Sequence, residues 1–116
     1  MSEINDVAHS LLSGSTNGAD IAVTATSSGT ATTVHTAVAN TTSLDMVTLK
    51  IHNNSSDRDT IFVQVGSGDY REFLVEGKSA MLAMTAEPIN NSITVKVYSG
   101  LGDVLCTGRV QNITIS

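Results

Sequence analysis

From about residue 20 onward, β-branched and polar residues alternate in short runs separated by Gly, Asn, Asp and Ser, and a period of two is the signature of strands with one buried and one wet face. The runs 21–26, 32–38, 45–52, 60–65, 70–75, 80–85, 92–98 and 104–115, the last with a break, predict about eight strands. In the third, Val47, Leu49 and Ile51 face the core while Thr48, Lys50 and His52 face water. The same alternation turns Ile61, Val63 and Val65 inward against Phe62 and Gln64, and Ile93, Val95 and Val97 inward against Thr94, Lys96 and Tyr98. Turn-forming clusters lie between the runs: Asn53-Asn54-Ser55-Ser56-Asp57, Gly66-Ser67-Gly68-Asp69, Glu76-Gly77-Lys78 and Ser99-Gly100-Leu101-Gly102-Asp103. Pro88 is placed in the 86–91 connection, ending the sixth run. The pattern predicts an all-β antiparallel sandwich, with jelly-roll and immunoglobulin-like connectivity both open.

The first twelve residues follow a different period. Ile4, Val7, Ala8, Leu11 and Leu12 fall at i, i+3, i+4, i+7 and i+8, which predicts a short amphipathic helix capped by Ser2 and ended by Gly14. A helix of this length is marginal in water unless it docks on something. Residues 13–20, SGSTNGAD, read as a flexible linker. The expected organisation is thus an N-terminal arm and linker over 1–19 and a β-sandwich domain over 20–116.

Composition narrows the function. The 116 residues suit one domain with its own core, built from aliphatic residues because there are two Phe, two Tyr and no Trp. Six Lys and Arg against eleven Asp and Glu give a net charge of −5, which disfavours nucleic acid as a partner. The segment MSEINDVAHSLL carries acids where a secretory signal has positive charge, and no apolar run reaches membrane-spanning length. The expectation is a soluble protein made in the cytoplasm. Asn-x-Ser/Thr triplets at Asn40, Asn53, Asn54, Asn90 and Asn112 reflect the Asn- and Thr-rich β composition rather than glycosylation.

Each catalytic reading fails on its own chemistry. His9 lies in the arm, His35 and His52 are placed on wet faces, and no pair has a metal-ligand spacing. Gly66-Ser67-Gly68 is a glycine turn between strands and not a nucleophile elbow. The acids Asp57, Asp59, Asp69, Glu72, Glu76 and Asp103 sit in turns or at strand ends without a calcium-loop pattern. Cys106, the single cysteine, reads as a small buried hydrophobe. No catalytic residue, cofactor or metal ligand is assigned. Phe62 and Tyr98, expected to point outward, are candidates for a protein–protein contact.

One wider pattern adds to this. The runs Thr33-Val34-His35-Thr36-Ala37-Val38 and Leu44-Asp45-Met46-Val47-Thr48-Leu49-Lys50-Ile51-His52-Asn53-Asn54-Ser55 are followed by Thr60-Ile61-Phe62-Val63-Gln64-Val65-Gly66, Val75-Glu76-Gly77-Lys78-Ser79 and Ile93-Thr94-Val95-Lys96-Val97-Tyr98. From Thr32 onward the chain resembles small β-sandwich virion structural proteins of tailed bacteriophages, of the capsid decoration or cement type. The resemblance implies a non-enzymatic homo-oligomer, a trimer as first expectation, seated on the capsid exterior against the major capsid protein of the same virus and synthesised in the host cytoplasm. The arm residues Ile4, Val7, Leu11 and Leu12 would carry the apolar part of that contact. The alternatives are a tail or head–tail connector subunit, or a carbohydrate- or receptor-binding module using the loop ends.

Overall fold

The computed structural model describes residues 4–115. The chain forms nine strands: β1 (Ile4–Ser10), β2 (Ile21–Val23), β3 (Thr32–Thr36), β4 (Ser43–Asn53), β5 (Asp59–Val65), β6 (Arg71–Val75), β7 (Ala80–Ile89), β8 (Thr94–Ser99) and β9 (Val104–Ile115), with one 3₁₀ turn at Ser28–Thr30. One sheet runs β1-β9-β4-β7, with β2 also on the outer edge of β9, and the other runs β3-β8-β5-β6. All the pairings are antiparallel. The fold is an all-β sandwich.

The pairing order resolves the connectivity. β2 lies against β9, β3 against β8, β4 against β7 and β5 against β6, so the chain from β2 to β9 is one long hairpin doubled on itself. Wrapping that hairpin so that β9 meets β4 and β8 meets β5 closes two sheets around one core, which is jelly-roll topology. The core is aliphatic, as the alternation predicts. Val47, Leu49 and Ile51 of β4 meet Ile61 and Val63 of β5 and Val95 and Val97 of β8, all fully buried. Ile93 departs from the expected row, because β8 begins one residue later. Asn91 and Ser92 both have positive φ, and the Ile93 N–H bonds the Asn90 carbonyl at 3.1 Å, closing a type I′ turn that leaves Ile93 exposed.

The N-terminal segment is the main correction. Residues 4–10 form a strand, not a helix, paired along the outer half of β9 from Ser10↔Val110 to Ile4↔Ile115. β9 is twelve residues long, and β2 covers only its Val104–Cys106 end. The remaining edge offers unpaired backbone groups to a segment too short for a stable isolated helix, so the ladder wins. The chain then turns inward. Leu12 is buried in the core, and the Gly14 N–H bonds the Val34 carbonyl at 3.0 Å. The Ser13 hydroxyl accepts the Thr36 N–H at 2.7 Å. Ser13 and Gly14, the first residues of the expected linker, are thus held against β3.

Irregularities in β3 and β7 break the simple alternation. In β3 the register slips between Thr33 and His35, so that Val34 and His35 are both buried. In β7 the register shifts twice: Ala83 is passed over between Lys50↔Leu82 and Leu49↔Met84, and Thr85 and Ala86 are looped out between Leu49↔Met84 and Val47↔Glu87. Ala86 has φ +47°, and its N–H is taken by the Thr48 hydroxyl at 3.1 Å. Pro88 therefore lies inside β7, beyond this bulge, rather than in a connection; an edge strand tolerates a residue with no N–H.

Candidate functional site

The polar groups inside the sandwich are fully engaged with one another. His35 was expected on a wet face; the β3 bulge puts it in the interior, where its Nδ1 accepts the Ser13 N–H at 2.9 Å and its Nε2–H donates to Asp45 Oδ2 at 2.8 Å. Accepting at Nδ1 fixes the neutral Nε2–H tautomer. Asp45 also takes the Val38 N–H at 3.2 Å on Oδ2 and the Asn112 side-chain amide at 2.7 Å on Oδ1. With every ring nitrogen and carboxylate oxygen occupied, the group ties the N-terminal segment, β3, β4 and β9 together and has no free atom for a substrate.

Asn53 and Asp59 do the same at the other end. The Asn53 amide donates to the carbonyls of Asp57 at 2.8 Å and Val75 at 3.0 Å, while its oxygen accepts the Ser55 N–H at 3.0 Å. Asp59, expected as a surface turn acid, is buried and receives the Leu101 N–H at 3.2 Å. These residues set loop geometry. Among the described residues, no group of three His, Cys, Asp or Glu side chains is placed to share a metal ion.

Cys106 is buried between the sheets, and desolvation, reinforced by the charge of Asp20, pushes its thiol up to about 12. The thiolate is the reactive form, so the group is inert in the folded protein. Its ordinary value is 9.0, and the raised folded value makes the unfolded chain the better acid. The stability from keeping the thiol neutral is complete below pH 9 and is lost as pH rises toward the folded value. At about pH 10.5, wild type is expected to lose about 2 kcal/mol more stability than Cys106→Val, each relative to its own value at neutral pH. Paired urea titrations check this; equal losses would contradict the burial argument.

The outer face of the β9–β4 ladder carries two shallow hollows. One, of ≈ 200 Å³, is lined by His9, Met46, Thr48, Ala86, Arg109 and Gln111; the other, of ≈ 290 Å³, by Asp20, Lys50, His52, Leu105 and Thr107. Neither brings a nucleophile next to an oriented base. On the outer face of the other sheet, Phe62 and Tyr98 are cross-strand partners stacked with centroids 4.5 Å apart and planes at 10°, and Tyr70 meets Tyr98 edge-on at 4.9 Å. Partial burial and the neighbouring Tyr98 raise the Tyr70 phenol above its usual value. The stacked faces of Phe62 and Tyr98 cover each other.

The two long sides of the sandwich differ most. On the side of β2 and β3, the Leu12–Ser15 segment covers β3, and the Ser99 N–H reaches across to the Ala25 carbonyl at 3.1 Å. The opposite side, where β6 and β7 form the two edges, is bare: no other segment among the described residues pairs with the free edge of either strand. Leu74 of β6 is 57% exposed, Leu82 of β7 is 55% exposed, and Met81, level with the core residue Ile51, is 39% exposed. Residues 80–86, AMLAMTA, contain no charge. One ion pair bridges the rim, Arg71 to Glu87 at 2.6 Å, and that hydrogen bond raises the guanidinium further above its usual value.

Of the residues singled out from sequence, Phe62 and Tyr98 share the aromatic cluster, half-buried and facing outward as expected. Leu11 is exposed. Leu12 is core and presents no surface to a partner. The backbone of Ile4 and Val7 pairs with Ile115 and Ile113, and their side chains lie outside the described residues. Sequence reasoning missed the bare side, although the uncharged 80–86 run was visible and unusual for a strand with an open edge. The chain matches no protein-family model, no curated protein and no solved structure.

Proposed function

We propose that the chain is a non-enzymatic virion structural protein of a tailed phage, a decoration or cement protein that seats on the exterior of an assembled capsid against the major capsid protein. The observation that carries the reading is the contrast between the two sides of the sandwich, one covered by the protein's own chain and the other presenting edges of β6 and β7 that are unpaired among the described residues, with no charge over Ala80–Ala86. Monomeric proteins blunt their edge strands with charge, bulges or cover. β7 carries bulges and Pro88 but neither charge nor cover over Ala80–Ala86, and this suits a protein that completes itself against other protein. The sequence resemblance to phage capsid proteins supplies the setting, and many modest contacts repeated over a lattice supply the strength.

The test is co-sedimentation of the purified protein with capsids that lack it. Binding that saturates at a regular number of copies per shell is expected. A small fixed copy number at one vertex would favour a tail or connector component, and no binding at any ratio would overturn the reading. Deleting residues 2–19 is a poor probe of the arm, because it removes Leu12 from the core and the Ser13 partner of His35.

A further inference from the structure

We propose that the hollow beside the β7 bulge, on the outer face of the β1-β9-β4-β7 sheet, binds a small tetrahedral oxyanion of the phosphate class. Four strands line its ≈ 200 Å³: β1 gives His9, β9 gives Arg109 and Gln111, β4 gives Met46 and Thr48, and β7 gives Ala86. Four of these six side chains carry an N–H or O–H donor, and none is a carboxylate. Register brings the donors together. His9 and Met46 both pair with Gln111, and Thr48 pairs with Arg109, so the donors occupy two adjacent rows of one face.

Backbone strain marks the same place. Ala86 holds φ +47°, a left-handed conformation that a non-glycine residue seldom adopts, and the Thr48 hydroxyl oxygen receives its N–H at 3.1 Å. That bond uses Thr48 as an acceptor and leaves its proton to donate elsewhere. Charge points the same way, although the chain as a whole is acidic. Arg58 and Arg71 are paired with Glu76 and Glu87, whereas Arg109 takes part in no ion pair among the described residues. Lys50 pairs with Thr107, two residues from Arg109 on the same face, so a second cation lies on the diagonal. Asp20 lines the neighbouring hollow with Lys50 and His52, not this one. Pockets for drug-sized molecules span roughly 300–1,000 Å³, so this one suits a small ion. A carboxylate has two oxygens in one plane, which a single guanidinium satisfies. Donors arriving from three strands suit four oxygens in a tetrahedron.

The experiment is an NMR titration of the isotope-labelled protein with sodium phosphate at neutral pH and constant ionic strength, followed at the Arg109 Nε–H, the Gln111 side-chain amide and the Ala86 N–H. Saturable shifts at all three are expected. Arg109→Gln should weaken binding about tenfold or more, through loss of a charge-assisted hydrogen bond. Lys96→Gln, the same change of charge on the outer face of the other sheet, should bind as wild type. Malonate, a dianion with planar carboxylates, should bind much more weakly than phosphate. Shifts that grow without saturating overturn the proposal, as does an Arg109→Gln variant that binds as wild type or a Lys96→Gln variant that loses as much. Malonate binding as tightly as phosphate overturns it too. Arg109 is exposed, so its variant should fold. If it does not, Gln111→Glu takes its place, putting a carboxylate among the donors, and phosphate binding retained there overturns the proposal equally. The titration needs no capsid, so its outcome and that of the co-sedimentation are independent.

Discussion

Gly108→Ala is expected to leave little folded protein. Gly108 lies near the middle of β9, opposite Leu49 in the β4–β9 ladder, and a Cβ built there falls on the Thr48 carbonyl oxygen and against the Leu49 backbone. The obstacle is backbone on the central strand pair, so no side-chain rotation relieves it. β4 is held from its other flank as well, because the Thr48 hydroxyl takes the Ala86 N–H at the β7 bulge. Relief would require parting β4 from β9 or giving up that bulge. Overpacking among movable side chains costs about 1–3 kcal/mol, and a fixed backbone obstacle should exceed it, at about 4 kcal/mol or more. That is a large share of the roughly 5–15 kcal/mol a domain has to lose. Gly29, whose added Cβ would meet nothing within 4 Å, is the control, and Gly29→Ala should unfold at the wild-type urea concentration. A Gly108→Ala midpoint close to wild type would mean that the two strands separate more easily than the geometry allows.

The same central pair shows how far the sequence could be read. Strict alternation in β4 and β5 and through Val95 and Val97 of β8 is enough to assign inward and outward faces, because a half-buried strand has only one pattern that hides its apolar row. Connectivity is different. Jelly-roll and immunoglobulin orders use the same strands with the same alternation, and only the partnership of β2 with β9, β3 with β8 and β4 with β7 separates them. The N-terminal segment misled because its apolar residues satisfy a helical period, while its fate was decided by an open length of β9 distant in sequence. His35 misled for a local reason: one residue of bulge reverses inside and outside, and nothing in Thr32–Thr36 announces it.

The candidate interface was legible in part. Phe62 and Tyr98 were placed outward by alternation, but that they stack on each other follows from the β5–β8 register. The bare side of β6 and β7 needed the topology, since an uncharged run such as AMLAMTA is unremarkable in a central strand and exposed only at an edge. Composition thus argued against nucleic acid as a partner, and strand order shows which edges are left unpaired among the described residues.

Asp45→Ala is expected to cost about 3–5 kcal/mol, because one buried carboxylate satisfies three donors at once. Asp45 lies in phase with Val47, Leu49 and Ile51 and is buried with them, and a buried carboxylate needs compensating hydrogen bonds. His35 Nε2–H, the Val38 N–H and the Asn112 amide provide them, from β3, the segment after it and β9. Alanine strands all three at once and loosens His35 from the Ser13 N–H that anchors the N-terminal segment. Asp45→Asn should be much milder. Its oxygen can keep His35 and Val38, its new amide then faces Asn112, and a flip of the Asn112 side chain presents an acceptor in place of a donor. Urea denaturation of both variants, with hydrogen exchange at Ser13, separates the two outcomes. The alanine variant should lose protection at Ser13 before global unfolding, and the asparagine variant should retain it. Equal and small losses in both would mean that the sandwich is held by its aliphatic core alone and that the buried polar group is dispensable.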